Sequence, residues 1–137
     1  MSEESTTPDL VELVRRLNEA FKAHDADAYL SFLAPDVVHR PIATFTTKEY
    51  RGRDAVWAFR AEWHDAWADD FEGQLETIRE YGDAVIALVR FSGHARASGI
   101  EIRGGVFQVF RFRDGLVARI EDFTDRADAL KAAGLEE

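Results

Sequence analysis

The stretch Gly104–Asp125 constrains the fold more than any other. Two runs of β-branched and aromatic residues flank Asp114-Gly115. That dipeptide is the usual loop of a two-residue type I′ hairpin, because Gly and Asp tolerate positive φ. Along the first run Val106, Gln108, Phe110 and Phe112 fall on one face, and Phe107, Val109, Arg111 and Arg113 on the other. Along the second, Ala118, Ile120, Asp122 and Thr124 oppose Val117, Arg119, Glu121 and Phe123. Gln108 and Asp122 therefore sit among apolar neighbours, as residues lining a pocket would.

Upstream, residues 1–8 read as a flexible tail and 9–137 as a single domain. Thr7-Pro8-Asp9 is a helix start, with Thr7 as N-cap and Pro8 in the first turn. Leu10, Leu13, Val14, Leu17 and Phe21 follow as one helical stripe, ending near His24. Asp25 caps a second helix that runs to Leu33 and is stopped by Pro35. Val37–Pro41 reads as a strand, and residues 42–50 as a loop. Gly52-Arg53-Asp54 opens a third helix to about Ala68, with Val56, Phe59, Trp63, Ala66 and Trp67 on its buried face.

Strands are expected over Phe71–Tyr81 and Ala84–Ala97, with turns at Gly82-Asp83 and Ser98-Gly99. Gly104-Gly105 is expected to bulge or bend the sheet. Arg126–Gly134 reads as a short C-terminal helix. Helices segregated from a strand meander predict an α+β fold with helices on one sheet face. The other face, with Phe107, Val109, Val117 and Phe123 among Arg111, Arg113, Arg119 and Glu121, is then left outside. A homodimer through that mixed face is expected; a solvated face is the alternative.

A net charge of −9 argues against nucleic acid and against an anionic membrane as partners. Cysteine is absent, so thiolate and disulfide chemistry are excluded. No apolar run approaches the roughly 20 residues that span a bilayer, and the acidic N-terminus is unlike a secretory signal. A soluble cytoplasmic protein is the simplest expectation. The four histidines show no metal-ligand spacing. No nucleophile elbow, phosphate loop or dinucleotide fingerprint occurs. Neither metal nor cofactor is expected.

The segment Asp25-Ala-Asp-Ala-Tyr-Leu-Ser-Phe-Leu-Ala-Pro-Asp-Val-Val-His-Arg-Pro41, the helix start Tyr50-Arg-Gly-Arg-Asp-Ala-Val56 and the hairpin Val106–Phe123 together resemble the SnoaL-like branch of the NTF2-like (nuclear transport factor 2 and ketosteroid isomerase-like) superfamily. The resemblance spans about residues 9–134. It implies a cone-shaped α+β barrel, with a curved antiparallel sheet wrapped around three N-terminal helices and a pocket at the wide end. Members include ketosteroid isomerases, polyketide cyclases, epoxide hydrolases and dehydratases, besides non-catalytic binding and association domains, so fold alone does not decide function. In ketosteroid isomerases the general base precedes the proline ending the first strand. Here that position is Arg40, which cannot act as a base. Leu17 stands where their oxyanion-hole tyrosine lies. Both departures argue against that chemistry. Asp122 is the nearest match to the acid/base aspartate of the cyclases.

Asp122, on an apolar surface, is the candidate general base or acid, with an arginine ion pair as the alternative. His39 and Arg40 are strand neighbours, so only one faces inward. The resemblance favours Arg40, as an oxyanion partner or a salt bridge to Asp122. His94 is a candidate proton relay at the rim, and Arg90 shares its face. Gln108 is a pocket donor or a satisfied core amide. His39, Trp63, Trp67 and Phe110 complete the expected lining of a pocket for an apolar small molecule. Two readings stay open: a cofactor-free lyase, isomerase or hydrolase, and a non-catalytic ligand-binding or dimerisation domain. A cavity of roughly 300 Å³ or more would favour the first.

Overall fold

The structure, a computed structural model, describes residues 9–42 and 47–134. The chain runs α1 (Leu10–Lys22), α2 (Ala26–Ser31), β1 (Leu33–Arg40), β2 (Tyr50–Arg51), α3 (Arg53–Asp65), β3 (Glu72–Tyr81), β4 (Ala84–His94), β5 (Glu101–Arg113), β6 (Leu116–Phe123) and α4 (Arg126–Ala132). The six strands form one curved sheet in the order β2-β1-β6-β5-β4-β3. The α+β class holds, but the sheet is mixed rather than antiparallel throughout, because β1 pairs in parallel with β6.

Helix starts follow local chemistry. Asp9 is the N-cap of α1, accepting from the Glu12 N–H at 3.1 Å, and Asp25 caps α2 through the Ala28 N–H at 3.1 Å. Thr7 and Pro8 lie outside the described residues. The second helix stops at Ser31, earlier than expected, and Pro35 lies inside β1 rather than beyond a helix end. The β1–β6 register shifts between Leu33 and Val38. An irregular stretch of ladder is where a residue with no N–H is tolerated. Arg53 ties α3 to β1, with Nε and Nη2 both donating to the Leu33 carbonyl at 2.9 and 2.7 Å.

The hairpin turn is as expected, with Asp114 and Gly115 at φ 55° and 78°. Its second strand is not. Arg111 pairs with Arg119 but Phe112 pairs with Val117, so Ala118 is an extra residue that bulges out of the ladder. The bulge carries Val117 from the expected outer face to the inner one, where it is fully buried. Gly104 and Gly105, by contrast, sit in regular register opposite Phe91 and Arg90, with no bulge. Gly104 leaves room for the Phe91 ring, since a Cβ there would stand 2.9 Å from its Cζ.

The main core lies between the helices and the inner sheet face. It joins Val14, Leu17 and Phe21 of α1, Tyr29 of α2 and Val56 of α3 to Val37, Val85, Phe110, Val117 and Ile120. The outer face is not bare: α4 packs on it through Ala129 and Ala133, covering Ala84, Ile86 and Val109. Arg111 caps α4, its Nη2 donating to the Ala132 carbonyl at 2.6 Å where the helix dipole favours a cation.

Candidate active site

The alternation of β6 sends Ile120 and Asp122 to the inner face, and the parallel register places His39 beside Ile120. His39 and Asp122 meet there. His39 is fully buried, with Nε2 3.0 Å from Asp122 Oδ2. Gln108, cross-strand from Asp122, donates from Nε2 to Oδ1 at 3.0 Å. Each carboxylate oxygen thus has a partner. While Asp122 is ionised its oxygens only accept, so the imidazole hydrogen sits on Nε2. That leaves His39 Nδ1 buried and without a partner. The Phe59 ring meets the imidazole edge-on at 5.3 Å.

From the helical side Arg60 enters the same space. Its guanidinium carbon lies 4.0 Å from the Phe21 ring centroid and 5.9 Å from that of Tyr29. Desolvated contacts of this kind are worth up to about 2 kcal/mol. Its Nε is buried and has no hydrogen-bond partner. Burial pushes the Tyr29 hydroxyl above its ordinary pKa. The neighbouring Arg60 charge pulls it down, and Asp122 pushes it up. An inner cavity of about 60 Å³ lies between these groups. Asn18, Phe21, Arg60, Trp63, Gln108 and Asp122 are in its wall, with Lys22 at the α1 end. Phe59, Trp63 and Phe91 are also walls of a larger open groove of about 690 Å³, continued by Tyr50, Trp67 and Ile102.

The other expected site residues lie elsewhere. Arg40 points to the outer face, where Nη1 is 3.6 Å from Glu121 Oε2, because alternation along β1 gives the inward place to His39. Arg90 is also on the outer face, its Nε donating to Glu76 Oε1 at 2.6 Å. Its cross-strand partner on β5 is Gly105. His94, at the end of β4, is engaged by the Asp70 carboxylate outside the cavity. The His94 side chain and backbone N–H hold the Asp70 carboxyl below its usual range. Phe110 is core, bordering only a void of about 10 Å³ beneath the cavity. Trp63 lines the cavity, and Trp67 the groove. Among the described residues no cluster of three or more His, Asp or Glu could hold a metal ion. No described helix is long and apolar enough to cross a membrane.

Arg60 and Asn18 carry a signal in the sequence itself. Arg60 stands four residues after Val56 and three before Trp63, and Asn18 four after Val14 and three before Phe21. Each is a polar residue within an apolar helical stripe.

A family model described as the SnoaL-like domain matches residues 14–120. No curated protein matches the sequence. Among solved structures, an NTF2-like protein from Burkholderia thailandensis E264 is 28% identical, with 90% of this chain and 94% of that one covered and a TM-score of 0.73. A protein assigned as a SnoaL-like polyketide cyclase, from Jannaschia sp. CCS1, is 23% identical over 89% of each chain, with a TM-score of 0.74. TerC, co-crystallized with polyporic acid, is 18% identical over 88% of this chain and 95% of its own, with a TM-score of 0.72.

Proposed function

The chain belongs to the SnoaL-like domain family, and from that premise we propose that it binds an apolar small molecule in the cone and performs cofactor-free acid/base chemistry on it, with Asp122 as base. The observation that carries this reading is the placement of Asp122. It is a carboxylate in the wall of a largely apolar cavity, fixed by His39 and Gln108. A general base needs a defined position within hydrogen-bond reach of the proton it takes. His39 and Gln108 are positioning residues here: they orient the carboxylate by bonds of 3.0 Å each. Negative charge developing on a ligand oxygen would be met by Arg60 across the cavity. Isomerisation, cyclisation and hydrolysis all draw on such a pair. A neighbour of the same fold co-crystallized with polyporic acid supports a small organic ligand.

The size of the inner cavity favours a second reading, a non-catalytic binding domain. About 60 Å³ holds only the reacting end of a molecule, well short of the roughly 300 Å³ of a typical ligand pocket. The first reading therefore places the bulk of the ligand in the adjoining groove.

Deuterium exchange into a panel of cyclic ketones, followed by mass spectrometry, separates the two. Wild-type protein is expected to catalyse exchange at the carbon next to the carbonyl. Asp122→Asn is expected to lower the rate about 10²–10⁴-fold, the usual worth of a general base. No exchange by the wild type, or equal rates in the variant, sinks the catalytic reading and leaves the binding one.

A further inference from the structure

Arg60 is a half-buried charge, with its Nε fully buried, that the base at Asp122 does not explain. A guanidinium cannot shed its proton, so burial cannot neutralise it. Buried charges are ordinarily paired. Among the described residues Arg60 forms no ion pair, although the chain carries 26 acidic residues against 17 basic ones. What it has instead is Phe21 and Tyr29 against its surface. Aromatic rings satisfy the flat faces of a guanidinium. Tyr29 also meets the guanidinium through its hydroxyl, which leaves the remaining in-plane N–H groups to hold oxygens, as arginine does when it recognises carboxylates. The orphaned Nε belongs to that in-plane set.

Charge on the cavity wall points the same way. Arg60 and Lys22 supply two cations and Asp122 one anion, whose oxygens are already engaged by His39 and Gln108. One further anionic oxygen would balance the wall. The groove beyond is walled by Tyr50, Phe59, Trp63, Trp67 and Phe91, which suit a flat apolar body.

We infer that Arg60 is a specificity-determining residue, and that the ligand is a ring compound carrying a carboxylate or similar anionic oxygen. The ring occupies the groove and the oxygen reaches Arg60. This inference rests on the pocket reading above but not on catalysis by Asp122.

Isothermal titration calorimetry at pH 7.5 with 1-naphthoate and its neutral partner 1-naphthamide tests it. Wild-type protein is expected to bind the acid at least tenfold more tightly than the amide. Arg60→Met is expected to bring the two within about twofold, by weakening the acid and sparing the amide. Arg60→Lys, which keeps the charge but not the fork, is expected to retain part of the preference. Equal binding of acid and amide by the wild type overturns the inference while leaving the pocket intact, as does an unchanged preference in Arg60→Met. The wild-type comparison decides even if that variant does not fold. Binding of neither probe overturns the pocket reading together with this one. Loss of exchange in Asp122→Asn with the acid preference preserved would separate binding from chemistry.

Discussion

Tyr29 shows how a single buried group carries a pH dependence. It is 1% exposed, and burial holds its hydroxyl above the ordinary value near 10. Above about pH 10 the unfolded chain loses this proton while the folded chain keeps it. The unfolded state then binds fewer protons, so stability is fully present below the unfolded pKa and falls as pH rises toward the folded one. Tyr29→Phe should flatten the decline in urea midpoint between about pH 9.5 and 11, the interval around the ordinary tyrosine value. An unchanged slope would mean that the hydroxyl does not titrate differently in the fold. The same residue lies against Arg60, so the variant also reports on the wall that holds that cation.

Elements meet closely where β4 ends against the loop after α3. Gly93 has φ +157°, and a Cβ built there would stand 2.9 Å from Phe71 Cα and 3.2 Å from Trp67 Cε3. Backbone cannot yield as a flexible side chain can. Gly93→Ala should therefore destabilise the protein by about 1–3 kcal/mol, the usual cost of overpacking. Urea denaturation measures it, and a loss under about 0.5 kcal/mol, the scale of a neutral surface change, would show that the loop moves freely. Trp67 and Phe71 also wall the groove and the cavity, so the same variant should weaken ring binding.

For the whole molecule, the outer sheet face bears on assembly. The homodimer expected from sequence needed that face bare, and α4 covers the part bearing Val109. Half-buried Leu88, Phe107 and Phe123 remain beside the ion pairs of Arg119 with Glu49 and Glu121. We propose that a two-fold dimer forms there, since paired charges bordering apolar side chains suit a self-complementary contact. Sedimentation velocity at tens of micromolar should give a dimer, and Leu88→Arg a monomer. A monomeric wild type would set the proposal aside.

Periodicity determined most of the architecture. Asp25, Asp114-Gly115 and the α1 stripe act within a few residues of themselves, so caps, the turn and the helical faces were legible without a neighbour in view. The pairing of Gln108 with Asp122 was not, because the unbroken register of a two-residue turn sets Gln108 opposite Glu121. What broke it was the extra residue at Ala118, and a bulge has no local signature; it moved Val117 into the core. Tertiary structure alone decided that His39 rather than Arg40 faces Asp122, because the parallel pairing of β1 with β6 joins segments some 80 residues apart. It also decided that Arg60, a charge on an apolar helical face, ends against Phe21, Tyr29 and the cavity, half-withdrawn from water. Local spacing states which residues share a face; only packing of distant faces determines which charges are drawn out of water.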